Sequence, residues 1–193
     1  MKRRALPILL LLGIFLVSNH GFAQEFYLGI KLGLSMQSPK SGDADFEYKV
    51  DTRTLYGFRL GLRVSQFALE GVYTTAEHFL DPKPDAPEDL EREKFKFSNT
   101  GVNVLYFVPV PVVEPYLTLG YGSYSATISD LAKDSSGGFN AGIGAAAKMG
   151  KYVSIAAEAR YHSVRFEFED RKVDLSDWSW NVSFNFHFNF MDM

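Results

Sequence analysis

The stretch that decides the fold is the last one: Trp178-Ser179-Trp180-Asn181-Val182-Ser183-Phe184-Asn185-Phe186-His187-Phe188-Asn189-Phe190. From Trp178 to Phe190, large apolar side chains alternate with small or polar ones without a break. Successive side chains of a β-strand point to opposite faces, so this pattern specifies a strand with one apolar and one polar face. A helix would scatter the same residues around its circumference and leave no apolar stripe.

The same period recurs upstream. Leu28, Ile30, Leu32, Leu34 and Met36 alternate with Tyr27, Gly29, Lys31, Gly33 and Ser35. Tyr56, Phe58, Leu60, Leu62 and Val64 alternate with Gly57, Arg59, Gly61 and Arg63. Further runs begin at Phe67, Val102, Leu117, Phe139 and Val153, which makes eight strands of about ten residues each. Ser65-Gln66 and Gly150-Lys151 are short turns, and the proline-rich 109–115 joins the fourth strand to the fifth as a segment outside any ladder. The remaining connections, near 37–53, 76–96, 125–138 and 163–176, read as long polar loops. Short turns at one end and long loops at the other are the layout of a membrane barrel, with both termini on the short-turn side.

Composition removes the competing classes. The chain has 193 residues, 46% of them hydrophobic and 15% aromatic, which excludes a disordered polymer. It has no cysteine, so disulfide scaffolds, thiolate metal sites and a cysteine nucleophile are excluded. Beyond the N-terminus no apolar run reaches the ~18 residues that a spanning helix needs.

Lys2, Arg3 and Arg4 precede an apolar stretch from Ala5 to Val17, and Gly21 and Ala23 then supply small residues before Gln24. This is a secretory signal peptide over 1–23, with cleavage expected between Ala23 and Gln24 and a barrel domain over 24–193. Its removal takes away three cations and no carboxylate, leaving 17 Lys and Arg against 23 Asp and Glu, a net charge of −6. Such a balance argues against a nucleic-acid partner.

Two barrels fit an alternating chain: a soluble one with its apolar face inward, and a membrane one with that face outward. The polar face decides for the second. It carries Gly29, Gly33, Gly57, Gly61, Gly101, Gly120, Gly122, Gly142 and Gly144, small residues suited to a narrow lumen. It also carries Lys31, Arg59, Arg63, Glu70, Lys148, Glu158 and Arg160, charges of both signs that can pair with one another inside a closed barrel. Glu70 and Glu158 are expected to pair with some of these cations. Phe26, Tyr56, Tyr106, Tyr161, Trp178 and Trp180 stand near strand ends, where interfacial girdles sit.

The signal peptide, the eight strands, Glu114-Pro115-Tyr116-Leu117 at the start of the fifth strand and the aromatic last strand together resemble the small outer-membrane β-barrel family, the OmpX and OmpA-transmembrane-domain kind. The resemblance implies an eight-stranded antiparallel barrel in the bacterial outer membrane, in contact with its lipid and delivered by the barrel-assembly machinery. In that family the machinery reads a terminal aromatic signal, which here corresponds to Phe186, Phe188 and Phe190, followed by Met191-Asp192-Met193.

The chemistry legible in the chain is thin. His162-Ser163, near Glu158, Glu167 and Glu169, resembles the His/Ser/Glu set of barrel enzymes that deacylate lipid A. Adjacent residues of a strand point to opposite faces, however, so the two side chains cannot meet. His187 belongs to the lumen row. His78 falls in the second long loop, where residues 77–94 hold seven acidic and three basic residues, and that loop reads as a solvated surface. No catalytic residue, cofactor or metal is expected. The expected function is that of a monomeric surface scaffold binding an extracellular or envelope partner through its loops. The alternatives are a narrow pore for water or small ions and a lipid A deacylase.

Overall fold

The computed structural model describes residues 24–41, 48–50, 52–82, 93–128, 132–168 and 171–189. Its elements are β1 (Gln24–Ser41), β2 (Tyr48–Val50), β3 (Arg53–Val64), β4 (Phe67–Pro82), β5 (Glu93–Phe107), β6 (Val113–Ile128), β7 (Ala132–Lys148), β8 (Val153–Phe168) and β9 (Arg171–Asn189). Among the described residues there is no helix. Each long strand pairs antiparallel with its neighbour in the order β1-β3-β4-β5-β6-β7-β8-β9. β9 returns to β1, with Phe26 opposite Phe188 and Leu34 opposite Trp180, and closes the ring. The three-residue β2 adds to the far end of β4. Closure removes every sheet edge at membrane depth, the condition for backbone in lipid.

The apolar face points outward. Leu28, Ile30, Leu32 and Leu34 on β1, and Trp178 through Phe188 at even positions on β9, are each about half exposed. The opposite parity is buried: Lys31, Arg59, Glu70, Asn103, Thr118, Glu158, Arg160 and Asn181 lie inside. Around the barrel the exposed apolar residues form a continuous belt, far larger than the ~300–600 Å² patch a soluble monomer tolerates.

The tight turns gather at one end with the described chain ends. Ser65 takes φ +57° at the first position of the β3–β4 turn, as mirror-image hairpin turns demand. Gly150 takes φ +86° between β7 and β8, a conformation glycine adopts without steric cost. In the β5–β6 turn Val112 has φ +76°, and the Val113 N–H donates to the Pro111 carbonyl at 3.0 Å, closing a γ-turn.

Two expectations need correction. The segments near 37–53, 76–96, 125–138 and 163–176 are largely strand, since β4 runs to Pro82, β6 to Ile128, β7 starts at Ala132 and β8 continues to Phe168. The strands are accordingly 12 to 19 residues long, not about ten. Polar side chains do not stop a ladder whose backbone groups are satisfied by the neighbouring strand. Pro115, placed by its sequence in a turn, pairs with Ala145 near the start of β6, a position where a missing N–H costs little.

Candidate functional site

The centre of the barrel is a buried ion network built by six strands. Lys31 of β1 contacts Glu158 of β8 at 3.0 Å, and Arg160 reaches the second oxygen of the same carboxylate at 2.8 Å. Across the lumen Glu70 of β4 pairs with Arg59 of β3 and lies 3.5 Å from Arg160. Asn103 of β5 donates to Glu70 at 3.0 Å, and Arg59 donates to Ser183 of β9 at 3.1 Å. Arg160 touches both carboxylates and joins the two halves into one cluster of three cations and two anions. An unpaired buried ion costs several kcal/mol, so these contacts are a requirement of folding here.

Two tyrosines frame the network in the same way. Tyr27 donates to Glu70 at 3.0 Å and Tyr116 donates to Glu158 at 3.3 Å. The tip of each ring lies against a glycine of the next strand, Tyr27 against Gly61 and Tyr116 against Gly144. A Cβ at either glycine would overlap the ring, so the close approach specifies glycine.

Further layers lie in the lumen on both sides of the network. Toward the short turns, Ala68, Leu105, Phe107 and Ala156 pack with the two tyrosine rings. Below them, toward the tight turns, lies a rim of ion pairs. Arg63 makes two 2.8 Å bonds to Glu114 and stacks 4.1 Å from the Phe107 ring centroid. Lys148 contacts Glu25 at 2.9 Å, and His187 contacts the other oxygen.

Toward the opposite end, His162 bonds Tyr124 at 2.9 Å and Ser179 at 3.2 Å. Ser35 donates to Asp177 at 2.7 Å and lies 3.3 Å from His78 Nε2. Above these sits a second apolar layer of Phe97, Tyr124, Ala126, Val164, Phe166 and Leu175.

Of the seven charges expected in one lumen network, the structure brings together Lys31, Arg59, Glu70, Glu158 and Arg160. Arg63 and Lys148 stand apart at the rim, where Glu114 and Glu25 take them up. Both rim carboxylates escaped the sequence reading although their parity placed them inward: Glu25 shares a face with Tyr27, and Glu114 with Tyr116. His78 is not in a loop; it lies on β4, fully buried, on the face of Glu70 and Thr74. Among the described residues no cluster of three or more His, Cys, Asp or Glu is suited to a metal. His162 is buried whereas its neighbour Ser163 is exposed, and the histidine meets Ser179 and Tyr124 with no carboxylate to orient it. Phe186 and Phe188 lie on the outer face, and Phe190 falls outside the described residues, as does the segment up to Ala23.

A closed barrel of eight long strands, apolar outside and charged inside, is an outer-membrane protein. The chain belongs to the outer membrane protein beta-barrel domain family, whose model matches residues 8–188. Neisserial surface protein A is a structural neighbour, with a TM-score of 0.65, 16% identity and coverage of 83% of this chain and 96% of that one. OprG of Pseudomonas aeruginosa aligns with a TM-score of 0.59 and 14% identity over 88% of this chain and 98% of its own. Ail of Yersinia pestis, the attachment invasion locus protein, solved with the heparin analogue sucrose octasulfate, aligns with a TM-score of 0.50 and 15% identity over 84% and 99%. No match was found among curated proteins.

Proposed function

We propose that the protein is a non-enzymatic anchor in the outer membrane that presents its extracellular strand ends and loops to a partner. The observation that carries this reading is the filled lumen. Two apolar layers flank an ion network in which each charged group meets an opposite charge, which supports a cross-section occupied by side chains, as eight strands dictate. What remains for recognition is the end away from the tight turns, where the strands outrun the lipid-facing belt. Residues 77–94 carry seven acidic and three basic side chains there, which favours a basic partner surface over a polyanion. Export by the signal peptide over 1–23 and delivery by the assembly machinery complete the proposal.

Planar-bilayer recording tests the filled lumen: no single-channel steps are expected, and stable steps would replace this reading with a narrow pore. The loop reading is tested with the barrel in nanodiscs over polylysine and heparin surfaces. Binding to polylysine alone is expected, and lost when 83–92 is replaced by a short turn. Equal binding of the shortened barrel would refute the role of that loop. Lipid A from cells making the protein should keep all its acyl chains; a loss that depends on His162 would make the protein a deacylase.

A further inference from the structure

The outer wall is not uniformly convex. Over β7 and β8 the outward residues Ala145, Ala157 and Ala159 form a low floor, and the register sets larger side chains on either side. Leu117 of β6 and Ile143 of β7, which pair with each other, rise on one flank, with Trp180 of β9 and Leu34 of β1 on the other. The result is a groove of about 870 Å³, within the ~300–1,000 Å³ range of pockets that hold small organic ligands. Its side chains lie in the apolar belt, so in the membrane it faces hydrocarbon and not water.

An unfilled groove there loses dispersion contacts along its whole floor, and what fills it must be apolar, slender and present at membrane depth. A second copy of the barrel does not fit. A two-fold interface sets the same patch against itself, and two concave floors leave a void between them. A polar partner is excluded by the apolar lining. We propose that this groove holds an acyl chain of a membrane phospholipid, seated on the three alanines between the Leu117–Ile143 flank and Trp180.

The test uses the full barrel reconstituted in phosphatidylethanolamine–phosphatidylglycerol vesicles, moved to detergent and released from the micelle in a mass spectrometer. Ala157→Phe and Ala159→Leu fill the groove, whereas Ala141→Phe adds the same bulk to the outer wall beside it. Each variant is first checked for the gel-mobility shift of a folded barrel. The wild type and Ala141→Phe are expected to retain a bound phospholipid, and both filling variants to lose at least about tenfold of the lipid-bound fraction. If Ala157→Phe does not fold, Ala159→Leu decides. A wild type free of lipid, filled variants that retain it, or equal loss in Ala141→Phe would each overturn the proposal. So would a wild-type dimer that the filling variants dissociate.

Discussion

Replacing Glu70 with glutamine isolates the charge of the central network from its shape. The side chain is fully buried, and glutamine is nearly isosteric, so the packing around Tyr27 and Asn103 is retained. What changes is the balance. Three cations then share the single carboxylate of Glu158, which already meets Lys31 at 3.0 Å and Arg160 at 2.8 Å. Arg59 loses its only acidic partner in the network. Breaking a buried pair from one side typically costs ~3–5 kcal/mol, and at least about 3 kcal/mol is expected here: no cavity opens, but the amide nitrogen stands where a carboxylate oxygen accepted from Tyr27 and Arg59 or from Asn103 and Arg160. With a denaturant slope of ~2 kcal/mol/M, the urea midpoint of the barrel in vesicles should fall by about 1.5 M. Adding Arg59→Met removes the orphaned cation and should restore most of that loss, a coupling of roughly 2 kcal/mol between the two sites. A Glu70→Gln midpoint within about 0.3 M of wild type would refute the reasoning. So would a double variant no more stable than the single, since repulsion from an orphaned charge would then not be the cause.

Gly144→Val places a branched side chain against the tip of the Tyr116 ring, and a loss of ~1–3 kcal/mol with a lowered thermal midpoint is expected, whereas Ala141→Val on the outer face should be neutral. At the rim, Glu25 and Glu114 are ion-paired with Lys148 and Arg63, and protonating either carboxylate removes its pair. Urea midpoints measured from pH 6 to pH 2.5 should therefore drop on acidification, and Glu25→Gln with Glu114→Gln should flatten that slope; an unchanged slope would exclude the rim as its origin. N-terminal sequencing of protein from the outer-membrane fraction should begin at Gln24, and an intact Met1 there would contradict the signal peptide.

The expected strands end where the outward row stops being apolar, and the structure explains why they continue. On β8 the outward row runs Ala157, Ala159, Tyr161, and then Ser163 and Arg165, which are exposed and polar. Beyond His162 the inward row becomes Val164 and Phe166, both buried. β5 does the same with Lys96 outside and Phe97 inside, β6 with Ser125 outside and Ala126 inside, and β9 with Asp174 outside and Leu175 inside. The period of two never stops; its phase inverts as each strand leaves lipid for water. A hydrocarbon surround demands apolar side chains outside, and an aqueous surround returns them inside. A reading that holds one phase fixed mistakes this inversion for the start of a loop.

Parity fixes which face a side chain takes, and that much of the site is legible in Lys31, Arg59, Glu70, Glu158 and Arg160. Partnership across the lumen is a different quantity. Lys31 and Glu158 lie 127 residues apart, and Lys148 and Glu25 123 apart. Their meeting depends on which strands close the ring and with what stagger, for example Tyr27 opposite Gly61 and His187. No local pattern encodes that stagger, because a barrel's shear is a property of all eight pairings at once. The fold of this protein is therefore written in each strand separately, whereas its ion network is written only in the closed ring. Substitutions that shift register should accordingly damage the network before they damage the belt.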